Sequence, residues 1–257
     1  MARIFLTAEW RHLAMLNFTV DPRLLEPLVP HGTRLDLWHG QALVSIVGFM
    51  FYRTRVLGMP IPLHTEFEEL NLRFYIVRDL PTGPRRGVCF IKEVVKLPVI
   101  SIVANLLYNE NYKTLPMRHA IKATPAGTCA QYQWRIQGRW HTISCTGQGA
   151  PAVPVKDSEA EFITEHYWGY STQRDGGAME YEVTHPPWRL WSPCDFSVDV
   201  DFAALYGPAF GAYLNRPPVS ALLAEGSAIT VSKGLVLKEP RSVQCGVLNA
   251  QPGNSLE

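Results

Sequence analysis

From Leu70 to Ile76 apolar and polar residues alternate strictly: Leu70, Leu72, Phe74 and Ile76 share one face, and Glu69, Asn71, Arg73 and Tyr75 the other. That period of two predicts a strand with two chemically different faces. Gly87 to Val95 is a β-branched and aromatic run of the same kind. Leu35 and Leu37 alternate with polar residues, His39-Gly40 makes a turn and Leu43 to Tyr52 reads as a long strand, which together predict a hairpin. Two more strands flank Gln137-Gly138, carrying Tyr132, Trp134 and Ile136, then Trp140, Thr142 and Ser144. Asp175-Gly176-Gly177 turns the chain into a strand at Met179 to Val183, with others at Trp188 to Trp191 and Ser227 to Val231.

Helical spacing is confined to short stretches. The first expected element is a helix over Asp21 to Val29, capped by Asp21 and opened by Pro22. Ile100, Val103, Ala104 and Leu107 predict an amphipathic helix over Val99 to Tyr108. Ser158 with Glu161 forms a capping box for a helix through Glu165, His166 and Tyr167, and a last helix is expected over Phe202 to Leu214. Strands outnumber helices, connections are short and no βαβ rhythm is present. The fold class is α+β, mainly antiparallel.

Composition narrows the picture. The 257 residues are 47% hydrophobic and 18% charged, with a formal net charge of +1. The charges are scattered, so no basic face for nucleic acid is expected. No stretch reaches the roughly 18 apolar residues of a membrane helix, and MARIFLTAEWRH does not read as a secretory leader. Five cysteines with no C-x-x-C pair fit a reduced, cytoplasmic protein. The Gly147 to Pro154 stretch reads as a loop within one domain, residues 1–243, followed by a flexible tail, residues 244–257. Seven tryptophans and several aromatic pairs make a homo-oligomer an expectation.

Candidate chemistry gathers in LHTEFEELNLRFYI (Leu63 to Ile76) and LYNENYKTLPMRH (Leu107 to His119). Charges set in core-like sequence mean a salt-bridged seam or a site. Glu69, Asn71 and Arg73 would line a cavity with Arg73 clamping a carboxylate, although polar-out alternation more commonly marks a solvated strand face. His64, Glu66 and Glu68 have the opposite parity, and without H-E-x-x-H or H-x-H they signal a metal only weakly; no metal is expected. Lys113 lies between Tyr112 and Leu115-Pro116-Met117, where desolvation would free its amine for Schiff-base chemistry; a lone lysine more often snorkels to the surface. Arg118, His119 and His166 add anchoring and proton-handling candidates. No G-x-S-x-G, phosphate loop or dinucleotide fingerprint is present.

The succession FTVDPRLLEPLVP, LDLWHGQALVSIVGFMFYRTR, LHTEFEELNLRFYI, RRGVCFIKEVV, YNENYKTLPMRH, TEHYWGY and SALLAEGS resembles the uncharacterised domain of unknown function 2071 family, over about Trp10 to Val231. That family is grouped with the acetoacetate-decarboxylase-like superfamily. The resemblance implies a cone-shaped, closed antiparallel β-barrel with helices packed outside and a central cavity. In acetoacetate decarboxylase a Schiff-base lysine beside a second lysine works with a glutamate and an arginine. By order along the chain the lysine falls near Lys113 and the glutamate within Glu66 to Glu69, most simply Glu69; the second lysine is Thr114 here and the arginine Thr19.

The foremost expectation is a cavity protein holding a small apolar or anionic ligand without a Schiff base or cofactor. Arg73, Asn71, Arg118, Tyr112 and His166 would bind that ligand. The alternative is a lyase-like enzyme with Lys113 as nucleophile and Glu69 and His119 handling protons. A structural or interaction module is the third.

Overall fold

The computed structural model describes residues 3–60, 65–97 and 111–237. It begins with a 17-residue strand, β1 (Ile4–Val20), where the sequence pattern suggested no element before Asp21. The C-terminal half of β1 is buried on both faces, so it reads as a nearly continuous apolar run instead of an alternation. The expected helix follows as α1 (Pro22–Leu25), extended by a 3-10 turn. Asp21 caps it by accepting the Arg23 N–H.

Next come β2 (Arg34–Leu35), β3 (Ala42–Val56), β4 (Met59–Pro60), β5 (Phe67–Arg78), β6 (Arg85–Val95) and β7 (Tyr112–Thr114). The anticipated hairpin is only partial. Trp38 bridges Gln41 around the His39-Gly40 turn, but β2 pairs with β5, not β3. Then follow β8 (Met117–Thr124), β9 (Gly127–Ile136), β10 (Arg139–Gln148), α2 (Glu159–Thr164), β11 (Trp168–Thr172), β12 (Ala178–Thr184), β13 (Leu190–Trp191) and β14 (Asp195–Asp199). Ser158 caps α2 as expected, but the helix stops at Thr164, short of His166. The chain ends in α3 (Phe202–Tyr206), α4 (Pro208–Leu214), β15 (Ser220–Ser232) and β16 (Leu235–Leu237). The single helix expected over Phe202 to Leu214 is broken because Gly207 has φ 84° and Pro208 has no N–H to continue the ladder. The helix expected over Val99 to Tyr108, His64 and the tail lie outside the described residues.

Among the described residues, twelve strands form one sheet, nine of them along the path β13-β15-β1-β3-β5-β6-β11-β12-β16 with β2, β4 and β7 paired to β5, β3 and β6 off it, and β8, β9, β10 and β14 form a second. Most pairings are antiparallel; β6 is parallel to both β11 and β7, which makes the large sheet mixed. The path also returns on itself, since Val183 and Thr184 of β12 pair with Val231 and Thr230 of β15. One face of the large sheet packs Leu70, Leu72 and Phe74 against Tyr132 and Trp134 of the second sheet and Phe202 of α3. The opposite face packs Phe49, Phe67 and Tyr75 with Trp188 in a second cluster, and Phe49, Phe67 and Trp188 line a cavity there.

Three of the strand irregularities at that cavity are insertions in β1, β3 and β6. His12 and Leu13 of β1 oppose the single Phe49 of β3, Arg53 and Thr54 of β3 oppose the single Ala8, and Ile91 of β6 has no partner on β5. His12 and Arg53 have φ of 57° and 52°, the left-handed conformation that lets one residue be inserted. Each bulge reverses the in-out alternation. Side chains three apart therefore face the cavity together: Trp10 with Leu13, Phe51 with Thr54, and Phe90 with Glu93.

The second sheet is fastened at one of these bulges, because the Tyr132 hydroxyl donates to the His12 carbonyl at 2.7 Å. The Tyr132 ring lies over Gly48, where an added Cβ would sit 2.6 Å from Cδ2. Gly48→Val is therefore expected to destabilise the fold by about 1–3 kcal/mol, and Tyr132→Phe by about 1 kcal/mol through loss of the hydrogen bond. Urea unfolding of the two variants checks both values.

Candidate functional site

The polar face of β5 is not solvated, contrary to the commoner meaning of its alternation. Glu69, Asn71 and Arg73 are only 2%, 3% and 8% exposed, because β3 and β6 pair on either side and aromatic side chains stand around them. They line a cavity of about 170 Å³. Its wall is largely aromatic: Trp10, Phe49 and Phe51 from one side, Phe67 and Phe90 from β5 and β6, and Trp168, Tyr181 and Trp188 from the other. Cavities of roughly 150 Å³ with apolar walls accept a benzene-sized molecule.

The electrostatics run along one strand. Arg73 donates from Nη2 to the Ile163 carbonyl at 3.3 Å and stands 5.8 Å from the centre of the Tyr75 ring. Its Nε has no hydrogen-bond partner, and no carboxylate forms an ion pair with it among the described residues. Two residues earlier, Asn71 donates Nδ2 to Glu69 Oε1 at 3.3 Å, while its own Oδ1 has no partner. Glu69 Oε2 accepts from the Tyr112 hydroxyl at 3.1 Å. Burial raises the Glu69 carboxyl to about 7 against the opposing hydrogen bonds from Asn71 and Tyr112.

His166 follows α2 and enters the same cavity. Its Nε2 is 3.2 Å from Asp36 Oδ2, and the same oxygen accepts from Arg86 Nε at 2.7 Å. An ionised carboxylate only accepts, so Nε2 carries the proton and Nδ1 presents a lone pair, which has no partner. Burial pushes His166 down to about 4; the Asp36 hydrogen bond opposes this, and Arg86 and Arg73 add to it. Burial raises the Asp36 carboxyl, but His166 and Arg86 outweigh that and hold it below its usual range. His185, stacked on Trp188 at 4.2 Å between ring centres, is lowered by burial and by Arg73 against the Pro186 carbonyl. Arg73 is thus the positive charge among the described lining residues at neutral pH.

Of the residues singled out from sequence, the structure brings Glu69, Asn71, Arg73, Tyr112 and His166 together at the cavity. Lys113, Arg118 and His119 stand apart. Lys113 is exposed on β7, where alternation turns Tyr112 inward and its neighbour outward. Arg118 is exposed on β8, donating to Gln133 and stacking over Trp140. His119 Nδ1 is 3.3 Å from Glu68 Oε2; Glu68 is buried, but Glu69 is the carboxylate of this strand segment that lines the cavity, and Glu66 is exposed. His64 being outside the described residues, no group of three or more His, Cys, Asp or Glu is placed to hold a metal among those described. Sequence reasoning missed Glu93, an acidic residue inside the apolar run CFIKEVV, and Asp36, which positions His166.

A family model described as an uncharacterized conserved protein, domain of unknown function 2071, matches residues 7–228. The chain belongs to this family. A curated relative, the uncharacterized protein YqjF of Bacillus subtilis (strain 168), is 27% identical over 183 residues, 70% of this chain and 73% of its own. Among solved structures, the domain of unknown function 2071 chain superposes on the enduracididine biosynthesis enzyme MppR complexed with pyruvate at a TM-score of 0.64 and 14% identity, covering 93% of this chain and 92% of that one. An acetoacetate decarboxylase-like enzyme from Sphingomonas wittichii RW1 gives 0.64 at 12% identity, over 91% and 94%. The acetoacetate decarboxylase of Legionella pneumophila gives 0.61 at 11%, over 92% and 88%. At such identities the likeness is one of fold. No helix among the described residues is long and apolar enough to cross a membrane.

Glu69 gives the site a pH signature. Its folded pKa of about 7 lies above the ordinary value of 4.5, so the folded protein holds the proton more tightly. That stabilises the fold below about pH 4.5, and the contribution is lost as pH rises through about 7. Glu69→Gln is expected to melt like the parent near pH 5 and to be more stable by about 2–3 kcal/mol near pH 8.5. Denaturant titrations at the two pH values check this.

Proposed function

We propose that this protein binds a small carboxylate non-covalently in the lumen of a closed β-barrel, with Arg73 as the anchor. One observation carries the reading: a buried guanidinium faces an apolar cavity with no carboxylate paired to it among the described residues. An unpaired charge out of water is costly, and an anionic ligand that pairs with it removes that cost. The ring of strand pairings from β15 through β12 and back supports the barrel. A fold neighbour that holds pyruvate, itself a small carboxylate, is consistent with it.

A Schiff-base mechanism lacks that support. No lysine belongs to the described cavity lining, and Lys113 is exposed on the neighbouring strand. The buried part of Lys92 is directed elsewhere, with Nζ donating to the Leu205 carbonyl at 2.5 Å. What the cavity offers is a cation at one end, a carboxyl that titrates near neutrality at the other, and largely aromatic walls between them.

Thermal melting with pyruvate and benzoate, set against benzamide, tests the proposal. The carboxylates are expected to raise the melting temperature and the amide to leave it unchanged. Arg73→Gln abolishes the effect, Lys113→Met retains it, and borohydride leaves no adduct on any lysine. Equal stabilisation by benzamide, or a lysine adduct that appears only with reductant, overturns it.

A further inference from the structure

Three polar positions on one strand face set the length and the chemistry of the ligand, beyond the carboxylate itself. Glu69, Asn71 and Arg73 are successive inward residues of β5, so roughly 13 Å of strand separates the first from the last. Arg73 Nε is a buried donor without an acceptor, while Asn71 Oδ1 is a buried acceptor without a donor. Beside Asn71 lies Glu69, whose oxygens accept from Asn71 and Tyr112 and keep further lone pairs, since a carboxylate offers about four acceptor sites. Along β5 the lining is therefore polarised: Arg73 supplies a donor, and Asn71 and Glu69 supply acceptors, in a largely aromatic cavity.

We propose that the physiological ligand is bipolar, a carboxylate seated on Arg73 whose opposite end is a hydroxyl or amine donating to Asn71 and Glu69 across a body the size of one benzene ring. This rests on the carboxylate reading and extends it. The span is set by Glu69, towards which the Asn71 amide is drawn by its 3.3 Å hydrogen bond; taking a hydrogen bond of about 3 Å off each end of the Arg73–Glu69 separation leaves roughly 7 Å between the ligand's polar groups, the span of a para-disubstituted benzene. Buried polar atoms in native proteins almost always find partners, and one such ligand supplies them to Arg73 Nε and Asn71 Oδ1; Trp10 Nε1, Thr54 Oγ1 and His166 Nδ1 of the same lining also lack partners.

The titratable groups beside the acceptor end are Glu93 of β6, paired opposite Asn71, and Tyr112 of β7; Arg73 stands at the other end, Tyr181 also lines the cavity, and burial lowers the pKa of His166 and His185. Ionisation of Glu69 then decides how well an ammonium group is received there. A hydroxyl donates to either form.

Calorimetric titration of the full chain with three matched probes tests the proposal: para-methylbenzoate, para-(hydroxymethyl)benzoate and para-(aminomethyl)benzoate. The two donor-bearing probes are expected to bind about tenfold or more tightly than the methyl compound. The aminomethyl compound is expected to gain affinity between about pH 6 and pH 8, and Glu69→Gln to flatten that gain; the hydroxymethyl compound is expected to be insensitive to pH. The tighter of the two identifies the natural donor. Asn71→Leu brings the hydroxymethyl compound to the level of the methyl one, and the probe series on the unaltered protein decides the matter even if that variant does not fold. Equal affinity of all three probes overturns the bipolar ligand and leaves the carboxylate reading standing, as does binding of pyruvate but of none of the three. Failure of every carboxylate, pyruvate included, overturns both.

Discussion

Arg73 is held out of water on a strand that has no solvent face, and the rest of the site follows from that placement. A guanidinium cannot lose its charge as a buried lysine can, so the fold must accommodate a permanent cation. It does so with the Ile163 carbonyl and the Tyr75 ring. The same field helps keep His166 and His185 neutral. At the other end, Glu69 answers burial by titrating near neutrality, because a carboxyl can take up a proton where an arginine cannot release one.

The cavity exists because the strands around β5 do not keep a regular pleat. Without a bulge, inward residues fall at every second position and Glu93 would face away from Phe90. The extra residue at Ile91 brings both to the cavity, and the insertions at His12 and Arg53 do the same for Trp10 with Leu13 and Phe51 with Thr54. The second sheet and α3 fill the opposite face of the large sheet, which is why β5 is buried twice over.

The sequence was most legible where its period was regular. Leu70 to Ile76 displayed both the strand and its two faces, and Glu69, Asn71 and Arg73 are where that parity puts them. What alternation could not say was whether the polar face met water, since burial depends on neighbours distant in sequence. β1 has no legible period because its bulges break the alternation and its second half is a nearly continuous apolar run interrupted by Asn17 and Thr19. The apolar residues flanking Lys113 leave a desolvated amine open beside the commoner surface lysine, and the structure has Tyr112 partly buried and Lys113 exposed on β7. Asp36 gave no local sign of its role, since its contact with His166 joins positions 130 residues apart.

The bulges also bear on how such proteins diverge. Losing one residue at Arg53 or Ile91 would restore a regular pleat and exchange every side chain beyond that point between cavity and outer face. A single codon gained or lost within a strand is thus a larger change to the cavity than many point substitutions in its wall. Relatives that share this architecture can hold quite different pockets while aligning well, and the places to compare first are the strand insertions, ahead of the residues that line the pocket.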